Sequence, residues 1–311
     1  MTLVQLEYAV AVATYQSFSI AAQKCFVTQP TLSMQIQKLE EEFGTILFDR
    51  QHKPVVLTES GLHFIEQARV ILNETKRLRE MLVEIKGEIS GTVTLGILPT
   101  IAPYLLPLFL ETFQKECPSI RLIINELTTD EIVSELDRDT LDAGILATPI
   151  ERNGFNESIL YLERLFLYVS PHHPLSSQSE VELSDIQPAD LWLLRKGHCF
   201  REQALKICDV NTELGQKEQI SFESGSIETI IKILDRQSGV TIIPQLATLY
   251  LADEQLNCIR TIAQRDYSRQ ISLITKRSMV KSKAIELLIN IIKASLPTYL
   301  SKNANQILRA S

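Results

Sequence analysis

The sequence predicts an α plus α/β protein in three parts: a small helical head, one long helix and a larger α/β body of two lobes. Three observations lead there. The first 60 residues or so hold short, apolar-patterned helices with tight connections. From Gly61 to Lys86 no further glycine or proline interrupts the chain. Beyond Gly91, strand-like runs alternate with helical ones, the pattern of strand–helix units. A chain of 311 residues suits about two domains or three small ones. A hydrophobic share of 45% is enough for a sizeable core and too high for a disordered chain.

The head reads as three helices: Leu3–Thr14, about Ser19–Cys25, and about Gln29–Phe43. Pro30 falls in the first turn of the third, where its missing N–H is one the helix does not use. Leu32, Ile36, Leu39 and Phe43 recur at helical spacing and are expected to face inward. Ala21 and Ala22 are small enough to let the second and third helices approach closely. A basic-tipped segment, Arg50 to Pro54, precedes the strand-like Val55–Leu57. In the long helix, Ile65, Ala68, Leu72, Leu78, Leu82 and Ile85 form one apolar stripe. About 25 helical residues span roughly 37 Å, and such a stripe needs a partner, so a dimer interface is expected. Gly87–Gly91 reads as a hinge.

In the body, strands are expected at Thr92–Leu98, Arg121–Glu126, Asp142–Leu146, Leu165–Ser170, Leu191–Leu194, Gln219–Glu223, Val240–Pro244 and Gln270–Thr275. Helices are expected at Ala102–Glu116, Asp130–Arg138, Ser226–Gln237 and Lys281–Ser295. The alternation implies a largely parallel sheet. The domain boundaries that follow are 1–61, 62–88 and 89–311, with lobe I at about 92–163 and 268–311 and lobe II at about 164–267.

Charge and composition exclude several classes. Lysine plus arginine is 31 against 38 acidic residues, a net charge of −7, so the chain is no general nucleic-acid coat and does not suit an anionic membrane. No apolar run approaches the roughly 18 residues of a membrane span. Glu7 and the missing basic stretch make the N-terminus a poor signal peptide, so a cytoplasmic protein is expected. The five cysteines, Cys25, Cys117, Cys199, Cys208 and Cys258, are too few and too scattered for a secreted disulfide framework. They form no CxxC pair, so no metal site is expected, and nothing implies a cofactor.

The third helix leaves Thr31, Ser33, Met34, Gln35 and Lys38 outward or flanking, mostly short polar or amide side chains near its N-terminus. That is the end a recognition helix offers to base edges, and Gln35 has the geometry for a bidentate contact to adenine. Arg50 and Lys53 are candidate phosphate contacts on a wing. By periodicity alone, the same helix suits an ordinary helical domain. Residues 1–61 carry only four lysines and arginines against six carboxylates, so DNA binding would need several heads acting together.

The stretch Phe18-Ser19-Ile20-Ala21-Ala22 … Val27-Thr28-Gln29-Pro30-Thr31-Leu32-Ser33 … Ile36-Gln37-Lys38-Leu39-Glu40 … Gly44 … Leu47-Phe48-Asp49-Arg50 … Leu57-Thr58 … Gly61 resembles the winged helix-turn-helix of LysR-type transcriptional regulators. The long helix and the two-lobed remainder fit that family along the whole chain. The resemblance implies a linker helix, a periplasmic-binding-protein-like α/β regulatory domain, and DNA contacts from Gln29, Pro30, Thr31, Ser33, Gln35, Lys38, Arg50 and Lys53. It also implies a homotetramer (a dimer of dimers), promoter DNA as ligand and RNA polymerase as a partner.

Within the body, Lys196-Gly197-His198-Cys199-Phe200-Arg201 draws notice. Cys199 stands between His198 and Arg201, and a helix start after Gly197 would add the positive end of a dipole. A thiolate there can attack a peroxide O–O bond to give a sulfenic acid. Isolated cysteines in α/β domains are more often small buried hydrophobes, the reading that Cys25, Cys117 and Cys258 keep.

Gly197-His198-Cys199-x-Arg201 followed by Cys208 resembles the redox segment of the hydrogen-peroxide-sensing branch of the LysR-type family. The resemblance implies that Cys199 is peroxidatic and Cys208 resolving, joined by a reversible disulfide that a glutaredoxin- or thioredoxin-type partner reduces. Gly96–Thr100 with Pro103–Pro107, Ser226–Thr229 and Gly239–Pro244 match the same branch. Thr100 and Thr129 then supply hydroxyls near the peroxide, and His198, Arg201 and Arg269 act around the thiolate. Residues 209–218 diverge, and Ser221 stands where some relatives carry histidine. Nine residues of continuous helix would hold the two cysteine Cα atoms about 13.5 Å apart, against roughly 4.4–6.8 Å in a disulfide, so a helix over 200–207 would have to break on oxidation. Competing expectations are a LysR-type regulator answering a small-molecule effector between its lobes, a thiol peroxidase, and a solute-binding protein.

Overall fold

The computed structural model describes residues 1–85, 90–150, 152–208, 224–264, 266–277 and 283–300. The chain divides into two compact units, Met1–Glu88 with Asp137–Thr140, and Ile89–Leu136 with Leu141–Ser311.

The first unit holds α1 (Leu3–Tyr15), α2 (Phe18–Lys24), α3 (Gln29–Phe43), the short antiparallel strands β1 (Phe48–Asp49) and β2 (Val56–Leu57), and α4 (Glu59–Ile85). Each of the first three helices opens on a capping side chain, Thr2, Ser17 or Thr28, which accepts an N–H of the first turn. Leu32, Ile36 and Leu39 are fully buried with Ala9, Val12, Ala21, Ala22 and Ile65, each large aliphatic contributing about 1.5–3 kcal/mol relative to exposure. Phe43 departs from the expected inward face. It is 49% exposed, because α3 ends there and the ring lies edge-on to Phe64 of α4 instead. A Cβ on Gly61 would lie 2.1 Å from the Leu47 carbonyl oxygen, so only glycine lets α4 begin so close to the wing.

The expected stripe of α4 divides. Ile65 and Ala68 are buried in the head and Leu72 is half-buried, whereas Leu78 is exposed. The side chains of Leu82 and Ile85 lie outside those described, as does most of the Gly87–Gly91 hinge.

The second unit is built on an eight-stranded sheet in the order β4-β3-β5-β10-β6-β9-β7, with β8 also paired to β6. Its strands are β3 (Gly91–Ile97), β4 (Ile120–Glu126), β5 (Ala143–Thr148), β6 (Phe155–Val169), β7 (Glu180–Val181), β8 (Val240–Pro244), β9 (Ile259–Ile262) and β10 (Ser268–Lys276). Its helices are α5 (Ala102–Glu116), α6 (Thr129–Asp137), α7 (Cys199–Cys208), α8 (Ile227–Leu234), α9 (Asp253–Leu256) and α10 (Lys283–Ser295). The sheet is mixed rather than largely parallel. β3 runs parallel to β4 and β5, but β10 is antiparallel to both β5 and β6, and β6 is antiparallel to β8 and β9. The physical reason lies in β6, 15 residues long. It pairs with β10 as far as Arg164 and with β8 from Leu165 onward, so one strand serves both lobes. Two separate apolar clusters result, one around Leu95, Phe109, Ile145 and Leu288, the other around Leu167, Val181, Ile231 and Ile242. Leu191–Leu194 forms only isolated bridges, Leu191 to Val240 and Leu194 to Ser224. The strand expected at Gln219–Glu223, the divergent run 209–218 and Ser221 lie outside the described residues.

Candidate functional site

Gly197 has φ of +93°, a backbone that only glycine adopts at little cost, and it turns the chain into α7. Cys199 is the first residue of that helix and Cys208 the last; both are thiols. The side chains diverge at once. Cys199 packs against the lobe I cluster, while its neighbour Phe200 is buried in lobe II with Ala204 and Cys208. Cys208 is 8% exposed, and burial pushes its thiol up to about 11.

His198 is 4% exposed and accepts a 3.2 Å hydrogen bond at Nε2 from the Nε of Arg195. An arginine N–H can only donate, so the ring is neutral with its proton on Nδ1. Burial and then the Arg195 charge hold its pKa below the ordinary value, against a smaller opposing pull from Glu131. His198 is therefore not the cationic neighbour expected beside Cys199. Arg201 is also otherwise engaged, donating from Nη1 to the Leu194 carbonyl at 2.7 Å.

The two expected hydroxyls are not helix caps. Thr128, the residue just before α6, is its cap, its hydroxyl accepting the Glu131 N–H at 3.4 Å. Its backbone N–H and hydroxyl donate to Glu131 Oε2, both at 2.8 Å, and these bonds hold the Glu131 carboxyl below its usual range. Thr129 Oγ1 is buried and has no hydrogen-bond partner. Thr100 is buried before α5, whose N-cap position, Ile101, makes no side-chain bond. The Thr100 hydroxyl accepts from Arg269 Nη1 at 3.2 Å and its carbonyl from Nη2 at 3.1 Å. Arg269 in turn lies 4.7 Å from the Phe200 ring centroid and donates from Nε to Glu163 Oε2 at 2.8 Å. Thr100, Arg269 and the Cys199–Phe200 turn are thus one locality. Glu131, on the first turn of α6, interacts electrostatically with Arg195 and His198. Sequence reasoning missed Glu163, Arg195 and Glu131. A lone carboxylate inside the apolar run Ile159–Val169 was the available signal for the first.

In the head, Gln29, Pro30, Thr31 and Lys38 are exposed on α3, and Lys53 on the segment joining β1 and β2. Thr31 shares a 2.8 Å hydroxyl bond with Thr28. Ser33 accepts from Arg50 at 3.2 Å, and Arg50 also pairs with Glu40 at 2.9 Å and lies over the Phe18 ring. Gln35 is half-buried and accepts from Gln5 at 3.3 Å, which leaves its own amide N–H groups for a ligand. Arg50 is thus engaged within the head rather than extended from the wing.

Residues 3–62 match the family described as bacterial regulatory helix-turn-helix protein, lysR family, and residues 86–297 match the LysR substrate binding domain. The hydrogen peroxide-inducible genes activator of Dickeya chrysanthemi is 33% identical over 306 residues, 98% of this chain and 99% of that protein. The DNA-binding transcriptional dual regulator OxyR of Escherichia coli K12 is 36% identical over 247 residues, 79% of this chain and 80% of that protein. Among solved structures, a full-length OxyR cysteine variant from Pseudomonas aeruginosa superposes with a TM-score of 0.75 at 30% identity, covering 94% of this chain and 98% of that one. No helix among the described residues is long and apolar enough to cross a membrane.

Proposed function

The chain belongs to the LysR family of bacterial regulatory proteins, and from that premise we propose that it is a DNA-binding transcriptional regulator that senses hydrogen peroxide through a reversible Cys199–Cys208 disulfide and controls oxidative-stress genes. One observation carries the reading: the two cysteines stand at opposite ends of a single helix, α7.

The Cys199 thiolate attacks one peroxide oxygen; the S–O bond forms, the O–O bond breaks, and hydroxide leaves to collect a proton as water. Sulfur is oxidised to the sulfenic acid and peroxide is reduced. The Cys208 thiol then loses its proton, its sulfur attacks Cys199 Sγ, and the second hydroxide leaves as water. Thr100 and Thr129 bind the oxidant, and Arg269 acts through Thr100. His198 serves as a neutral group and Arg201 as an anchor of the turn. About 13.5 Å of helix rise separates the two ends of α7, so the disulfide closes only when α7 unwinds, and Phe200 and Ala204 leave the lobe II cluster with it. A glutaredoxin- or thioredoxin-type dithiol resets the switch. Each cycle consumes one peroxide per subunit, without enzymatic turnover.

The domains in this reading are a head of 1–61, a linker of 62–88 and a regulatory domain of 89–311. The head binds promoter DNA through Gln29, Pro30, Thr31, Ser33, Gln35, Lys38, Arg50 and Lys53. It does so in the cytoplasm as part of a homotetramer that engages RNA polymerase. The test is non-reducing peptide mass spectrometry of the reduced protein before and after near-stoichiometric hydrogen peroxide. A linked Cys199–Cys208 peptide is expected, with Cys25, Cys117 and Cys258 still alkylatable. Absence of that link, or equal oxidation of all five thiols, would replace peroxide by a small-molecule effector between the lobes.

A further inference from the structure

Among the described residues, Glu163 is the only buried carboxylate and Arg269 the only buried guanidinium, at 1% and 4% exposure. They are direct cross-strand partners on β6 and β10, at the point where β6 leaves β10 for β8. A buried ion pair is weak support for a fold, since apolar replacements are often as stable. Its bonding here is directional. Glu163 Oε1 accepts the backbone N–H of Leu246 at 3.0 Å, which fixes the carboxylate. Oε2 takes the Nε edge of Arg269 at 2.8 Å. The far edge of the guanidinium is thereby turned onto Thr100, with Nη1 on the hydroxyl and Nη2 on the carbonyl. A guanidinium has donors and no acceptor, so Thr100 Oγ1 is the acceptor in this bond and its single proton points elsewhere.

We propose that Glu163 is a positioning residue for the peroxide reaction. It holds Arg269 in the one plane that commits the Thr100 hydroxyl to donate toward the oxidant at Cys199. Glu163 also cancels the charge of Arg269 within the pair, so the site offers the oxidant an oriented donor rather than a free cation. The inference rests on the peroxide reading above.

The test compares two reagents on Cys199 in the reduced full-length protein. Hydrogen peroxide needs both the thiolate and an oriented hydroxyl; iodoacetamide needs the thiolate alone. Glu163→Gln should slow peroxide oxidation by about tenfold, the worth of one well-placed hydrogen bond, while the alkylation rate and its pH profile stay within about twofold. In a Thr100→Val background, Glu163→Gln should add no further loss. Equal slowing with both reagents, or fully multiplicative losses in the double variant, would overturn the proposal and leave the sensor reading standing. A wild-type Cys199 no faster with peroxide than free cysteine would remove both. If Glu163→Gln does not fold, Glu163→Asp keeps the charge, draws Arg269 back, and should show the same selective loss.

Discussion

Single residues set the reactivity of this protein and part of its stability. Cys208 is buried and its thiol is pushed to about 11, so at pH 8 a brief iodoacetamide pulse should label Cys199 well ahead of Cys208, as read by peptide mass spectrometry; equal labelling would contradict the burial. The neutral His198 gives a signed pH effect. Its folded pKa lies below its unfolded value of 6.5, so the unfolded chain binds the extra proton. The stability it contributes is complete above 6.5 and is lost as pH falls toward the folded pKa. His198→Gln should flatten that acid limb in chemical denaturation curves. Phe26 lies in the turn between α2 and α3 with φ of +55° and 95% exposure. A bulky side chain there carries strain and gains no burial, so Phe26→Asn should raise the stability of the head by about 0.5–1 kcal/mol. Cys199 and Cys208 were legible as sequence because their neighbours resemble a known segment. Arg195 and Glu163 were not, because nothing along the chain says that an arginine will face a histidine lone pair or that a strand carboxylate will meet a guanidinium more than 100 residues away.

At the scale of elements, α7 is where stability and switching meet. Lys206 is exposed on its last turn, and Lys206→Gly should weaken the helix by about 0.5–1 kcal/mol. If unwinding precedes closure of the disulfide, the closure rate should rise by roughly twofold to fivefold while the first oxidation of Cys199 is unchanged. An unchanged closure rate would detach the disulfide from the helix. Most elements were readable from periodicity: α3, α5 and β8 match their expected bounds. Two classes were not. β6 was read only over its last residues, because its first half alternates weakly and its partner β10 comes 100 residues later. Leu191–Leu194 has strand-like composition but only bridging partners, and pairing is decided by neighbours rather than by composition.

At the scale of the whole molecule, the head has few cations and part of α4 is uncovered. Leu62, Ile71 and Leu78 are exposed on α4, and in the proposed assembly they meet a second subunit. Ile71→Glu combined with Leu78→Glu should shift the protein to a smaller species in sedimentation and weaken operator binding by more than tenfold, since phosphate contacts from separate heads multiply. An unchanged species would place the interface elsewhere. Charge balance and the helical stripe are the sequence features that led to the expectation of such an assembly. The mixed sheet was hidden, because the direction of β10 depends on which lobe the returning chain enters.

The length of α7 also gives the switch a clock. In the proposed switch, oxidation of Cys199 comes first, and the disulfide forms only after α7 has unwound. The oxidised thiol must then survive until enough of α7 has unwound to bring its two ends together. A pulse of oxidant that cellular thiols erase sooner leaves no record, and only exposure that outlasts this dead time is written into the fold. In the proposed switch, the disulfide would report how long the oxidant persists as well as how much of it arrives.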